Sequence, residues 1–245
     1  MKQGLFQIIE NTRLTASVYR MRLVGDTSHI TRPGQFVNVK LDGFYLRRPI
    51  SVCDCQGDVL TLVYKVVGKG TEQLKKMTAG QTLDVLTGLG NGYDLTLSGE
   101  KPLLLGGGVG VPPLYLLAKK LIAEGKKPTV VLGFNTKSEI FCEEDFKALG
   151  IDTVVATADG SYGVRGFVTD AMKTIDYDYF YTCGPEPMLR AIYKSADTSG
   201  QFSFEERMGC VFGACMGCSC KTVTGYKRIC KDGPVLRKEE ILWEK

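Results

Sequence analysis

Along the first hundred residues, apolar side chains come in short runs rich in β-branched and aromatic types, interrupted every few positions by Gly, Asp or Pro. Short alternating runs bounded by turn residues predict strands over 17–23, 35–41, 49–53 and 59–67, and together a small antiparallel barrel. One helix interrupts them over 70–77, opened by Thr71 and closed near Gly80. From Lys101 the pattern changes. A continuous apolar run over 102–106 reads as a buried strand, followed by a glycine loop and a helical period over 112–123. Strands over 128–134, 153–157 and 179–183 then alternate with helices over 143–149, 167–173 and 185–195, the pattern of a doubly wound parallel sheet. The remaining residues are rich in glycine and cysteine. The expected fold is therefore multi-domain, all-β plus α/β: a barrel over 1–99, a Rossmann-like α/β unit over 100–204 and a small cysteine-bearing unit over 205–245.

Composition removes several function classes. The net charge of +4 is spread along the chain, and Lys75-Lys76, Lys119-Lys120 and Lys126-Lys127 have no interleaved aromatics, so nucleic acid is not an expected partner. Residues 1–14 lack an apolar signal core, and the most apolar stretch, 103–118, is broken by four glycines and two prolines, so neither a secretory leader nor a membrane span is expected. Nine cysteines, an odd number with one tight cluster, point to free thiols and a metal site in a reducing cytoplasm. His29 is the single histidine and lies in a turn-like stretch, and no hydrolase motif is present. Chemistry would then be carried by cofactors.

Cys210, Cys215, Cys218 and Cys230 follow the pattern C-x4-C-x2-C-x11-C. This matches the ligand spacing of a plant-type [2Fe–2S] site, in which a glycine-rich loop supplies three thiolates and a later segment the fourth. Gly209, Gly213, Ala214 and Gly217 let such a loop turn tightly around sulfur. Structural zinc also accepts four thiolates, although zinc sites more often show two paired knuckles. Cys220 is left outside the set. Cys53 and Cys55, two apart on an expected strand, share a face and read as packing.

Three further motifs carry chemistry. Arg47 and Arg48 open a strand that continues Pro49-Ile50-Ser51; a guanidinium suits phosphate and the serine a polar ring edge. Val63-Tyr64-Lys65 leads to Gly68, Gly70 and Thr71 at a helix start, where main-chain N–H groups and the helix dipole favour an anion. Gly106, Gly108 and Gly110 follow a strand and precede a helix, and Cys183-Gly184-Pro185 ends the last expected parallel strand, where ligands sit in such sheets. Each motif alone also reads as an ordinary turn or strand end.

In this order the motifs resemble the ferredoxin reductase superfamily and, over essentially the whole chain, the electron transfer subunits of dihydroorotate dehydrogenase B. The resemblance is most specific at 47–51, at 206–220 and in Arg228-Ile229-Cys230-Lys231-Asp232-Gly233-Pro234. It implies that 1–99 binds FAD through Arg48, Pro49, Ile50, Ser51, Val63, Tyr64, Lys65, Gly70 and Thr71. It also implies that 100–204 binds NAD with Cys183-Gly184-Pro185 lining the nicotinamide pocket, and that Cys210, Cys215, Cys218 and Cys230 hold a [2Fe–2S] cluster. The implied partner is an FMN-containing catalytic subunit that oxidises dihydroorotate in pyrimidine biosynthesis, in a heterotetramer of two of each. Val211 departs from the pattern, which has glycine after the first ligand. Asn135-Thr136-Lys137 does not decide between NAD and NADP. Two alternatives stay open: another flavin and iron–sulfur reductase subunit, of the sulfide dehydrogenase or ferredoxin–NADP reductase type, in which the resemblance implies an aspartate ligand, and a zinc-stapled binding module without redox activity.

Overall fold

The computed structural model describes residues 1–243. Six strands close into an antiparallel barrel: β1 (Lys2–Arg13), β2 (Val18–Val24), β3 (Phe36–Val39), β4 (Arg48–Gln56), β5 (Val59–Lys65) and β6 (Thr82–Leu89), in the order β1-β2-β5-β4-β3-β6. One short helix, α1 (Lys69–Lys75), follows β5. Phe6, Ile8, Met21, Leu23, Val37, Val39, Leu60, Leu62 and Val85 fill the barrel. Closure removes the exposed edges that an open six-stranded sheet would present. Residues 1–14, noted above only for lacking a signal core, contribute the long strand β1.

The second layer is a sheet in the order β10-β9-β8-β7-β11-β12-β15. It contains β7 (Pro102–Gly107), β8 (Thr129–Phe134), β9 (Asp152–Thr157), β10 (Val164–Arg165), β11 (Tyr179–Cys183) and β12 (Gly200–Ser203), all parallel, with α2 (Pro113–Ala123), α3 (Glu143–Lys147), α4 (Val168–Met172) and α5 (Glu186–Ser195) as crossovers. Every residue of β7 is buried, as a central strand covered on both faces requires. Chain order runs one way from β7 through β8 and β9, and the other way through β11 and β12. The switch point therefore lies between β7 and β11.

The last segment holds a hairpin of β13 (Ser219–Thr222) and β14 (Gly225–Arg228), and then β15 (Val235–Arg237), which pairs antiparallel with β12. The C-terminal unit thus completes the middle sheet as well as carrying its own cysteines. Asn91, just past β6, clips it to the barrel: its Nδ2 donates to the carbonyls of Val235 at 2.7 Å and Asp232 at 3.3 Å, and its Oδ1 accepts from the Val235 N–H at 3.1 Å.

Barrel and sheet share a core. Val18, Cys53 and Val63 pack with Leu114, Leu117, Ala118 and Leu121 of α2, each fully buried aliphatic side chain contributing about 1.5–3 kcal/mol. Lys119 of α2 pairs with Asp54 of β4 at 2.8 Å, and Arg20 of β2 pairs with Asp145 of α3. A bulge between Val52 and Asp54 breaks the alternation of β4. As a result Cys53 packs in this shared core while Cys55 lies against the barrel interior. The two thiols do not share a face, contrary to the expectation from regular strand spacing.

Candidate functional site

The two arginines at the start of β4 have different roles. Arg47 makes a two-pronged ion pair with Asp84 of β6, Nη1 to Oδ1 at 2.9 Å and Nη2 to Oδ2 at 3.0 Å. Those bonds hold the Asp84 carboxyl below the usual carboxylate range, against the opposing effect of burial. Arg48 has no carboxylate partner among the described residues: Nη1 donates to the main-chain carbonyls of Leu46 and Arg47, and the guanidinium lies 4.6 Å over the Phe44 ring and against Gly70. The Thr71 hydroxyl accepts from the Val67 N–H at 2.9 Å and the Gly68 N–H at 3.2 Å, tying down the loop before α1. The first helical bond runs from Glu72 N–H to the Gly68 carbonyl at 2.9 Å, so the N–H groups of Lys69 and Gly70 precede it without an intrahelical acceptor. A guanidinium beside open N–H groups at a glycine fits the diphosphate of a dinucleotide.

The rest of the expected flavin set falls around this cradle in different ways. Pro49 is exposed and Ser51 half-buried, whereas Ile50 points into the barrel. Val63 lies in the core shared with α2. Tyr64 is buried, donates to Asn11 Oδ1 at 3.0 Å, and is pushed up to about 12 by that burial. Asn11 Nδ2 in turn donates to the carbonyls of Leu74 at 2.9 Å and Met77 at 2.8 Å, bracing the far end of α1. The side chains of Val63 and Tyr64 are thus occupied in packing, and their main chain pairs with β2 at Arg20 and Tyr19. Lys65 is exposed.

At the switch point the two expected nucleotide motifs meet. A Cβ on Gly110 would run into the Cys183 carbonyl and Gly184, and one on Gly107 would strike Met188 of α5. Gly106 packs a little less closely, on Val111 and Leu114, while Gly108, at φ +52°, faces open space. Loops this close at the ends of adjacent strands form the crevice in which open α/β sheets bind nucleotides. Burial pushes the Cys183 thiol up to about 12; Ser203 lowers it by a hydrogen bond and Glu205 raises it by its charge. Sequence patterning passed over Ser203 and Glu205 because β12 is only four residues long. Beyond the neighbouring strands, the Lys137 N–H donates to Ser161 Oγ at 2.8 Å, and Asn135 Nδ2 donates to Glu139 at 2.9 Å. The loops after β8 and β9 are thereby linked.

Val211, Cys218, Ile229 and Cys230 share a buried cluster with Phe36, Leu89 and Phe202. The thiols stand in two pairs, Cys210 with Cys215 and Cys218 with Cys230. Among the described residues no three His, Cys, Asp or Glu side chains surround a single-ion position. Two adjoining pairs suit a two-iron cluster, in which each iron takes two thiolates. Burial raises the Cys210 thiol, but the N–H groups of Cys215, Phe212 and Ala214 outweigh it and bring Cys210 down to about 6; the Ala214 bond measures 3.2 Å. Such N–H groups would stabilise a thiolate. Arg228 forks onto Asp232 and donates from Nη1 to the Gly213 carbonyl at 3.0 Å, linking the loop to the segment of the fourth thiol. Val211 adopts φ +60°, where glycine would be unstrained. Cys220 lies on β13, opposite Lys227.

Residues 205–242 match the iron–sulfur cluster binding domain of dihydroorotate dehydrogenase B, and residues 104–194 match the oxidoreductase NAD-binding domain. The chain is 43% identical to the dihydroorotate dehydrogenase B (NAD(+)), electron transfer subunit of a Geobacillus species, with 99% of both chains covered. It is 42% identical to the subunit of the same name from Fusobacterium nucleatum, with 95% of both covered. Among solved structures, the NADH-dependent reduced ferredoxin–NADP oxidoreductase superposes with a TM-score of 0.88 at 32% identity, covering 97% of this chain and 90% of that one. A ferredoxin NADP+ reductase from Neisseria gonorrhoeae, with a TM-score of 0.70 at 16% identity over 80% of this chain and 90% of that one, shares the fold.

Proposed function

The chain belongs to the family of dihydroorotate dehydrogenase B electron transfer subunits, and from that premise we propose that it carries electrons from a catalytic partner to NAD+ in pyrimidine biosynthesis. The partner would hold FMN and oxidise dihydroorotate, in a heterotetramer of two of each chain. When bound, the [2Fe–2S] cluster and FAD supply one-electron transfer and the exchange between single electrons and a hydride.

The observation that carries this reading is that one barrel shares buried cores with both the parallel sheet and the cysteine unit. Arg48, Gly70 and Thr71 would seat the FAD diphosphate, with Ser51 offered to the ring. Gly106, Gly108 and Gly110, facing Cys183, Gly184 and Pro185, would seat the dinucleotide. Cys210, Cys215, Cys218 and Cys230 would hold the cluster. Burial gives the cysteine pairs a direction: Cys215 is exposed, whereas Cys218 and Cys230 are buried in the cluster that includes Phe36 and Leu89 of the barrel. The Cys210–Cys215 side therefore faces outward to a partner and the Cys218–Cys230 side faces the flavin barrel. No helix among the described residues is long and apolar enough to cross a membrane, and all nine cysteines are unpaired, which suits the reducing cytoplasm.

A second reading, a subunit of the ferredoxin–NADP oxidoreductase type, is favoured by the 0.88 superposition. The four thiols count against it. The purified chain should show flavin and iron–sulfur absorption, about two iron atoms per chain, and NADH oxidation with artificial acceptors. Dihydroorotate-dependent NADH formation should require the copurified partner. Turnover of dihydroorotate by the single chain would overturn the assignment.

A further inference from the structure

The turn that carries the fourth cysteine is tied to the loop of the first three through one arginine. Arg228 ends β14, and its side chain forks onto Asp232, Nε to Oδ2 at 2.9 Å and Nη2 to Oδ1 at 3.2 Å. The Arg228 N–H also donates to Asp232 Oδ2 at 2.9 Å, and the Asp232 N–H donates to the Arg228 carbonyl at 2.7 Å. Cys230 is thus the middle residue of a turn closed from both ends. The other arm of the guanidinium, Nη1, leaves this turn and reaches the Gly213 carbonyl at 3.0 Å, in the loop between Cys210 and Cys215. Gly213 stands at φ +90°, and a Cβ there would lie 2.7 Å from the Lys231 side chain, so loop and turn approach this closely only through glycine. The Gly213 N–H favours the Cys230 thiolate, and the guanidinium attracts the thiolates of both Cys230 and Cys218. Arg228 and Asp232 are only 27% and 30% exposed, so solvent does not fully screen that charge. Asp232 occupies the Nε–Nη2 side, and the ion pair therefore presents its positive end to the cysteine loop.

We infer that Arg228, locked in place by Asp232, is a positioning residue for the cluster: it holds Gly213 against the turn of the fourth thiolate and raises the reduction potential by its fixed charge. Reduction adds a negative charge to a centre that already bears four thiolates. Nearby cations and N–H donors to sulfur stabilise that form and so raise the potential. A brace for the turn alone would need the Asp232 fork but no arm on the second loop. Lysine could supply the charge, but it cannot hold Asp232 and Gly213 together in one plane. Glutamine could donate to the Gly213 carbonyl without the charge. Asp232 fixes the fork and partly cancels the charge, so neutralising it should act in the opposite direction.

This inference rests on the cluster reading above, and the test keeps the two apart. The full chain loaded with FAD and cluster is compared as wild type, Arg228→Gln, Arg228→Lys and Asp232→Asn. Electron paramagnetic resonance follows the cluster midpoint potential, and iron release to a chelator is timed on the same samples. Arg228→Gln should shift the one-electron equilibrium about threefold to tenfold towards the oxidised form, a fall of about 30–60 mV. Arg228→Lys should restore most of the potential yet release iron several times faster than wild type, because the charge returns without the fork. Asp232→Asn keeps the arginine and should raise the potential. Wild-type chain that shows no [2Fe–2S] signal would refute the cluster reading itself. With the cluster present, Arg228→Gln at the wild-type potential, changed only in iron release, would reduce the pair to a brace and overturn the role of Arg228. Arg228→Lys at the potential of Arg228→Gln would overturn it too. If Arg228→Gln holds no cluster, Asp232→Asn decides: a rise supports the inference, and an unchanged or lower potential overturns it.

Discussion

The guanidinium of Arg48 occupies the space beside Gly70 that any side chain at that helix start would need. The contact joins β4 to α1 and brings a fixed positive charge to open N–H groups. Gly70→Ala should therefore displace the flexible end of Arg48 without harming the fold. Alanine in a helix is ordinarily favoured over glycine by about 0.5–1 kcal/mol. FAD affinity should fall at least about tenfold, the equivalent of one charge-assisted hydrogen bond, while the flavin-free chain melts no lower than wild type. Isothermal titration and a melting curve on the same sample check both halves.

Val211 is buried among the core residues beneath the cysteine loop yet sits at φ +60°, a region that costs an L-residue about 1–2 kcal/mol. Its packing contributes about as much. Val211→Gly removes both terms and should change stability by no more than about 1 kcal/mol. Val211→Ala keeps the strain and loses most of the packing, so it should be the worse variant by about 1–2 kcal/mol. Alanine falling below glycine is the reverse of the usual order. Chemical denaturation and the rate of cluster loss to a chelator would show it.

The parts legible from sequence are those set by local pattern. The barrel strands rich in valine and leucine, the strand–helix alternation after Lys101 and the cysteine spacing all depend on near neighbours. β1 was missed because only Phe6 and Ile8 of its twelve residues are fully buried. β12 and β15 are too short to show a period. The bulge at Cys53 shifts the face of the next residue without a glycine or proline to announce it. The polar residues that brace the sites, Asn11, Asn91 and Ser203, act across long sequence separations, and a single asparagine carries no period at all. The switch point follows the same logic: both of its loops are visible in the sequence, but their adjacency is a property of strand order.

Asn91 shows how much such a residue holds. Its amide takes both main-chain groups of Val235 and the carbonyl of Asp232, five and two residues beyond Cys230. Asn91→Ala would leave the Val235 groups unpaired at the seam between barrel and cysteine unit, costing about 2–3 kcal/mol. Because the Asn91 side chain, among the described residues, bonds only Asp232 and Val235 and none of Arg48, Gly70 or Thr71, FAD affinity should stay within about twofold of wild type. The cluster should be lost to chelator several times faster. Equal loss of FAD and cluster would mean that the seam is not local.

The Arg47–Asp84 pair predicts an acid transition. Hydrogen bonding to Arg47 holds the Asp84 carboxyl below its ordinary value, with burial acting the other way. A carboxylate depressed in the folded state stabilises the fold fully above its unfolded pKa, about 3.9. That contribution is lost as pH falls through the folded value. Stability of the wild type should thus decline below about pH 4. Asp84→Asn should be less stable at pH 7 by about 1–2 kcal/mol and should approach the wild type as the pH drops, because protonation removes the same charge. Denaturation midpoints for both chains between neutral pH and the acid limit test this. Parallel curves across that range would show that Asp84 contributes through packing and not through its charge.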